Sequence, residues 1–212
     1  MPETVIGQTV TIVFDGSRCI HSRGCVLGQP TVFVPNVQGE WIHPDGAAPD
    51  MVMRTAYNCP SGAIRVMMND GSATSDAPPP VNTLRIRENG PLAIEAEVVV
   101  AGVAAASPRA TLCRCGQSAN KPYCDGAHVA AGFVASGEPA TKAADPLSAR
   151  NGPLLVEPQP NGSLKLTGNL EIVSGTGRTV NKVTSTWLCR CGQSQNKPYC
   201  DGSHKAAGFI AP

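Results

Sequence analysis

The sequence of 212 residues is poor in aromatic side chains, which make up only 4% of the chain, and has a formal net charge of +1. Because no long run of like charge is present, nothing favours nucleic acid or an anionic membrane as a partner. The longest apolar stretch, at 98–106, is far shorter than the roughly 20 residues that span a bilayer. The first residues also lack the basic and apolar segments of a secretory signal. We therefore expect a cytoplasmic protein that binds neither membrane nor nucleic acid.

Glycine and proline, by contrast, are abundant, and nine cysteines are present. A loop-rich chain of this kind can gain folding free energy from metal–ligand bonds. In a reducing compartment, cysteine clusters more often bind metal or act in catalysis than form structural disulfides. The nine fall into three groups of three: Cys19, Cys25 and Cys59; Cys113, Cys115 and Cys124; Cys189, Cys191 and Cys200. No thiol is left for a separate nucleophile, and nucleotide-binding and serine-triad signatures are absent, so we predict that the protein is not an enzyme.

Residues 113–128 return almost unchanged at 189–204, and both segments have the spacing C-x-C-x8-C-x3-H. On an extended backbone the first two cysteines point the same way and can hold one metal atom. Asp125 is a candidate N-cap for a short helix that Gly132 would end, which places His128 in the first turn. The second copy repeats this with Asp201, His204 and Gly208. Three cysteines and a histidine suit either structural zinc or an iron–sulfur cluster, and the spacing alone leaves both open.

Both copies resemble the CDGSH iron–sulfur domain, the mitoNEET-like family, whose motif is C-x-C-x2-[S/T]-x3-P-x-C-D-G-[S/A/T]-H. Every fixed position is present; besides the ligands these are Ser118, Pro122, Asp125, Gly126 and Ala127 in the first copy, and Ser194, Pro198, Asp201, Gly202 and Ser203 in the second. The resemblance implies one [2Fe–2S] cluster per copy. Their ligands would be Cys113, Cys115, Cys124 and His128, and Cys189, Cys191, Cys200 and His204, with each histidine on the outer iron.

The same resemblance implies how the two copies are organised. Single-motif family members are dimers that share a β-sandwich, so a tandem chain is expected to be a monomer with an internal pseudo-dimer and pseudo-twofold symmetry. We place the first repeat at 82–140 and the second at 141–212. The tetrapeptide Asn-Gly-Pro-Leu opens a strand-like run at 89–92 and again at 151–154. On that alignment the second copy is about 14 residues longer, which predicts a longer hairpin through Asn161-Gly162.

The region before a polar, proline-rich linker at 69–81 forms a separate domain, residues 1–68. We predict strands at 9–14 and 63–67 and helices at 18–27 and 49–57. Its Cys19, Cys25 and Cys59-Pro60 resemble the single-cluster bacterial ferredoxins, whose C-x2-C-x2-C motif is followed far downstream by C-P. Here Ser22 stands at the middle cysteine position.

This second resemblance implies a third cluster, held by Cys19, Cys25 and Cys59. We favour [3Fe–4S] over a [4Fe–4S] cluster completed by Ser22, His21 or water; the alternative is a domain that has kept the fold and lost its cluster. His21 and His43 are expected to be surface or supporting residues rather than ligands, and Trp41 a packing residue.

Together these features predict an α+β protein: a small ferredoxin-like N-terminal domain followed by the tandem unit. We expect electron transfer to an unknown redox protein. The alternatives are storage or transfer of clusters to an apo iron–sulfur acceptor, redox or pH sensing, and a structural zinc module. Four basic residues flank the motifs and either steer an acidic partner or are solvated loop charges: Arg114, Lys121, Arg190 and Lys197.

Overall fold

The computed structural model describes residues 2–212 and separates into two compact units, which meet in the chain between Ala77 and Pro78. Both units combine β-sheet with short helices, and strands predominate in the C-terminal unit, which makes the protein α+β. No helix in residues 2–212 has the length and apolar character needed to cross a membrane.

The N-terminal unit is a three-stranded antiparallel sheet with two helices. Its strands are β1 (Glu3–Ile6), β2 (Val10–Phe14) and β3 (Ile64–Met68), in the order β1-β2-β3. Alternate residues of β2 and β3 are buried, and so is one side of the helix α2 (Pro49–Tyr57), which begins with proline at its first turn. β1 was not predicted, because its residues are mostly exposed and carry no alternating pattern.

The helix predicted at 18–27 is instead two short pieces. A 3₁₀ turn spans Gly16–Arg18, and the helix α1 spans Gly24–Gly28. Between them His21 and Arg23 adopt positive φ angles of 53° and 62°, which are incompatible with a right-handed helix. Cys19 therefore lies in the loop between the two pieces, and only Cys25 lies on a helix.

Part of the predicted linker packs onto the N-terminal sheet. The main chain of Ser75 donates to Val66 O at 2.8 Å, and Val66 N donates to Ser75 Oγ at 2.9 Å. Ser75 is fully buried, and Thr74 forms a bridge with Met67. Residues 69–81 therefore include a turn that returns to β3, which their linker-like composition did not indicate.

The C-terminal unit contains eight strands in one hydrogen-bonded network. The first repeat supplies β4 (Thr83–Ile86), β5 (Leu92–Glu95), β6 (Glu97–Val100), β7 (Val103–Ala104) and β8 (Arg109–Leu112). The second supplies β9 (Pro153–Pro158), β10 (Leu164–Val173) and β11 (Thr179–Leu188). A short helix carries the last residues of each motif, α3 at Ala127–Ala130 and α4 at Ser203–Ala206. The strand order is β7-β6-β9-β10-β4-β5-β8, with β11 paired to β10.

Strands of the two repeats are therefore hydrogen-bonded to each other. β4 lies parallel to the second half of β10, and β9 lies parallel to β6. One apolar core joins both repeats, with fully buried leucines and isoleucines from each, such as Ile86 and Ile94 from the first and Leu154 and Leu170 from the second. Neither set of strands encloses this core without the other.

The Asn-Gly-Pro-Leu alignment of the two repeats is wrong. Asn89 and Asn161 share a positive φ of 49° and 50°, and each exchanges two hydrogen bonds with the chain beyond its own motif, Asn89 with Ala135 and Asn161 with Ala211. Asn161, not Asn151, is therefore the counterpart of Asn89. The segment 151–154 instead leads into β9, and the hairpin at 161–162 is no longer than its counterpart at 89–90.

Candidate metal centres

Backbone pairing brings the distant ligands of the first motif together. Cys113 follows β8, and its N–H donates to Pro122 O at 2.8 Å, while Cys124 N–H donates to Thr111 O at 2.9 Å. The loop from Cys115 to Cys124 thus folds back so that its last residues extend the edge of β8. Immediately afterwards, α3 carries His128 as its second residue.

The four predicted ligands of this motif form two pairs. Cys113 Sγ lies 3.8 Å from Cys115 Sγ, and Cys124 Sγ lies 3.4 Å from His128 Nδ1. Two ligands that share one tetrahedral metal, at about 2.3 Å for sulfur and about 2.0 Å for nitrogen, stand about 3.5–3.8 Å apart. Each pair therefore has the spacing needed to bind one metal atom.

The second motif has the same arrangement. Cys189 Sγ lies 3.8 Å from Cys191 Sγ, and Cys200 Sγ lies 3.5 Å from His204 Nδ1. Cys189 N–H donates to Pro198 O at 2.8 Å, as Cys113 does to Pro122. In both copies the lysine–proline peptide bond of the loop is cis.

The pairs do not close into a site for one ion. Within residues 2–212, no group of three or more His, Cys, Asp or Glu side chains is arranged to hold a single metal ion. Structural zinc requires four ligands around one atom. Among the described residues, neither motif shows such a group.

Main-chain donors surround the sulfurs and hold the loop. The N–H groups of Gln117 and Gly126 each lie 3.4 Å from the sulfur of the cysteine two residues earlier. The Asp125 carboxylate accepts from Ala119 N at 2.8 Å and from Ala127 N at 3.0 Å. The residue at the N-cap position of α3 is Gly126 rather than the predicted Asp125, because φ at this position is 90°.

Burial and sulfur–sulfur contact shift the pKa values of the predicted ligands. A hydrogen bond from the Cys115 thiol lowers the pKa of Cys113 and raises the pKa of Cys115. Burial raises the pKa of Cys124 to about 11 and lowers the pKa of His128. The imidazole is thus held neutral and ready to ligate, whereas Cys115 and Cys124 lose protons when metal binds.

In each site the Cys–Cys pair lies on the inner, more buried side. Cys113 and Cys115 are buried, whereas His128 is half-buried and is followed by an exposed Val129. His204 is likewise half-buried in the second copy. The histidine-bound side is therefore the one nearer to solvent.

The arginines between the paired cysteines are neither steering groups nor solvated charges. Arg114 and Arg190 are each only 1% exposed and are the largest fully buried side chains. The guanidinium of Arg114 donates to the carbonyls of Arg87 and Ser136. Lys121 and Lys197 also turn inward, each donating to the carbonyl of the motif serine three residues earlier.

The glycines after the second cysteines bring the two motifs into contact, which sequence reasoning missed. A Cβ on Gly116 would lie 2.6 Å from Cys191 O, and a Cβ on Gly192 would lie 2.6 Å from Cys115 O. Both glycines also have positive φ, 82° and 83°. The repeated Cys-Gly dipeptide was the available signal, but only the fold shows that each glycine faces the other copy.

The three N-terminal cysteines line one cavity of about 600 Å³, together with His21 and Ser22. Cys25 lies on α1, and Cys59 follows the end of α2. Burial raises the pKa of the Cys19 and Cys25 thiols. The sequence predicted this set, and the structure places all three side chains in the lining of one cavity.

His43 and Trp41, the other two N-terminal residues considered from the sequence, differ in their position relative to the cavity. His43 is exposed and lies outside the cavity lining. Trp41 packs edge-on against Phe14, with ring centroids 4.8 Å apart, in agreement with its predicted packing role. It also lines the cavity, a position that the sequence did not indicate.

Comparison with known families agrees with this geometry. A family described as the iron-binding zinc finger of CDGSH type matches residues 89–129 and 161–205, and a family described as a divergent 4Fe-4S mono-cluster matches residues 5–69. The chain carries two tandem CDGSH domains after a divergent mono-cluster domain. The resemblances predicted from the motifs are thereby confirmed, and these domains indicate an iron–sulfur protein. The matches begin at Asn89 and Asn161, in line with the structural register of the repeats. Among curated proteins, none matches the chain.

Proposed function

We propose that this protein binds two [2Fe–2S] clusters by Cys3His ligation and transfers single electrons between protein partners. The observation that carries the proposal is the presence, in each motif, of one Cys–Cys pair and one Cys–His pair at metal-sharing distances. A two-iron cluster has two ligands on each iron, which is this pattern. Cys113 and Cys115 would hold the inner iron of the first cluster, and Cys124 and His128 the outer one.

The protein residues would tune this centre and expose one side of it. The clusters supply one-electron chemistry when bound. A neutral imidazole donates less charge than a thiolate, so His128 and His204 raise the reduction potential above that of all-cysteine ferredoxins. The N–H groups that face Cys115 and Cys124 act in the same direction, because they stabilise negative charge on sulfur.

We further propose that the repeats form a pseudo-twofold unit with a shared β-sandwich. The reciprocal parallel pairings β4–β10 and β6–β9 support this, as do the reciprocal approaches of Gly116 and Gly192. Such a unit would act as a monomer with an internal pseudo-dimer. We assign it no catalytic reaction and place it in the cytoplasm.

The N-terminal domain is proposed to hold a third cluster on Cys19, Cys25 and Cys59. Three thiolates around one cavity suit [3Fe–4S], or [4Fe–4S] if Ser22, His21 or water provides the fourth ligand. With three centres in one chain, the protein would act as a short electron relay.

Transfer of intact clusters is the second candidate function. It is favoured by the half-buried histidines and by α3 and α4, each a single helical turn that can release its histidine locally. Loss of one outer ligand would open a cluster to an apo-protein acceptor.

Anaerobically purified protein tests both candidates. Iron, sulfide and zinc analysis with visible absorption and EPR establishes which metal is present. Reversible one-electron reduction with both clusters retained supports electron transfer. Stoichiometric delivery of the clusters to an apo-ferredoxin would favour the carrier function if this delivery is faster than the reduction and reoxidation of the clusters. A colourless protein that contains zinc would contradict both.

A further inference from the structure

A buried arginine joins three chain segments within each repeat. In the first repeat, Arg114 lies between the two paired cysteines and is 1% exposed. Its guanidinium donates to Arg87 O at 2.9 Å and to Ser136 O at 2.6 Å, and it lies 5.7 Å from the centroid of the Phe133 ring. The segment with the inner cysteines is thereby tied both to the turn between β4 and β5 and to the chain that follows α3.

The same two segments enclose the outer ligand, His128. On one side, Phe133 N–H donates to His128 O at 3.0 Å, so the chain held by Arg114 is bonded to the helix that carries the histidine. On the other side is the turn between β4 and β5, where a Cβ on Gly90 would lie 3.8 Å from His128 Nε2. The opposite ring nitrogen, Nδ1, faces Cys124. The imidazole is therefore held between two segments that one guanidinium joins.

Arg190 makes the corresponding contacts in the second repeat. It donates to Gln159 O and to Pro212 O, both at 2.7 Å. It lies 5.4 Å from the centroid of the Phe209 ring, and Phe209 N–H donates to His204 O at 3.1 Å. The segment with the inner cysteines is again tied to a turn, here between β9 and β10, and to the chain that follows the histidine.

The two arginines differ at the third donor, Nε. Arg190 Nε donates to Gly162 O at 3.0 Å. Gly90 is the counterpart of Gly162, but the buried Nε of Arg114 has no hydrogen-bond partner among residues 2–212. A buried donor without a partner weakens the network that contains it. The turn of the first repeat is therefore held by one hydrogen bond fewer than the turn of the second.

We propose that Arg114 and Arg190 are positioning residues that keep the outer histidine of their own motif on its metal, and that the weaker network at Arg114 makes the first cluster the one released first. This inference rests on the proposed function. The helices α3 and α4 do not fix their histidines alone, because a single turn gains little from its own hydrogen bonds. Opening of the arginine network lets the helix move and the imidazole leave the metal. The two sites then differ in their rate of cluster loss although their ligands are identical.

Site-resolved alkylation measures the loss of each cluster separately. The anaerobic holoprotein is incubated with an iron chelator and iodoacetamide, and modification of Cys124 and Cys200 is followed by mass spectrometry while visible absorption records total loss. A cysteine that ligates metal is protected, whereas the thiolate freed by cluster loss is the reactive nucleophile. The peptides that contain the two cysteines can be told apart, because Ala119 of the first motif corresponds to Gln195 of the second.

The variants separate the hydrogen bonds from the charge. Arg114→Lys keeps the positive charge but lacks the planar fork that joins two carbonyls, and Arg114→Met loses both. Arg190→Lys and Arg190→Met are the reciprocal pair. Ile94→Val is the control, since it shortens a fully buried side chain of the shared core and lowers stability without removing a contact of either arginine.

In the parent protein we expect Cys124 to be alkylated about fivefold faster than Cys200, for the one hydrogen bond that is missing. Both Arg114 variants should accelerate alkylation of Cys124 by about tenfold and leave Cys200 within about twofold of its parental rate. Both Arg190 variants should do the reverse, so that the second cluster is lost first. Ile94→Val should keep the parental ratio. Pulsed EPR of the reduced protein should show an altered histidine-nitrogen coupling in the arginine variants and a parental one in the control.

Equal parental rates, or faster loss at Cys200, would overturn the assignment of the first cluster as the one released first. Lysine variants that behave like the parent would overturn the positioning role, because charge alone would then suffice. Equal acceleration at both motifs, or an unaltered nitrogen coupling in every arginine variant, would overturn it as well. If a variant does not load fully, the proposal requires that only its own motif is alkylated in freshly purified protein. A parent protein that contains zinc or no reducible cluster would instead refute the proposed function, so the two failures are distinguishable.

Discussion

Replacement of Gly116 by alanine tests the contact between the two motifs. The new Cβ would lie 2.6 Å from Cys191 O and 3.0 Å from the carbonyl carbon of the same residue. Neither atom is part of a flexible side chain, so the backbone of one motif must move. Because this backbone links Cys189 to Cys191, the displacement should disturb the second cluster although the substitution lies in the first repeat.

The expected magnitude has two parts. Alanine at a φ of 82° costs about 1–2 kcal/mol for the left-handed backbone, and overpacking typically costs a further 1–3 kcal/mol. Gly132→Ala is the matched control, since its φ is 58° and a Cβ there meets nothing within 4 Å. It should cost only the first part.

The assay is urea unfolding of the anaerobic holoprotein, followed by visible absorption of the clusters. If the free energy of unfolding falls by about 2 kcal/mol per M urea, the urea concentration at the unfolding midpoint should fall by about 0.5–1 M in the control and about 1–2.5 M in Gly116→Ala. Gly192→Ala should behave like Gly116→Ala. Equal midpoints for the Gly116 and Gly132 variants would show that the close approach of the motifs does not exist in solution.

Three further predictions follow from the sites and the sheet. Replacing His128 and His204 by cysteine should lower the cluster potentials and slow bleaching below about pH 6.5, the reference histidine value. Burial lowers the pKa of His128, so protonation that competes with metal is delayed to lower pH and the site is lost as pH falls; unchanged bleaching in the double variant would remove histidine from the ligand set. Ser22→Cys restores the ferredoxin spacing and should convert a paramagnetic [3Fe–4S] signal of the N-terminal domain into a diamagnetic [4Fe–4S] cluster, whereas iron-free protein in both versions would indicate a domain without a cluster. Residues 82–140 expressed alone should be insoluble or dimeric, because β4 and β6 lose their partners β10 and β9; a folded monomeric half would contradict the shared core.

The sequence alone predicted the candidate ligand residues, because ligand chemistry depends on residue type and short spacing. The C-x-C-x8-C-x3-H pattern identified both motifs and their family. The helix at 49–57 was also predictable, since proline at its first turn and an amphipathic pattern are local signals. By contrast, two predictions from the sequence were wrong. The polar stretch at 69–81 was predicted to be a linker but partly packs on the N-terminal sheet. The identical tetrapeptides at 89–92 and 151–154 were aligned with each other but are not structural counterparts.

Tertiary structure decided everything that depends on residues far apart in the chain. Whether four ligands form one tetrahedron or two pairs is set by how the loop returns to β8, which spacing does not specify. The sequence does not show whether a basic residue between two cysteines is solvated or buried. In the fold, Arg114 is buried. The same holds for Gly116, because its close approach is to a carbonyl 75 positions away in sequence, beyond the reach of any local rule.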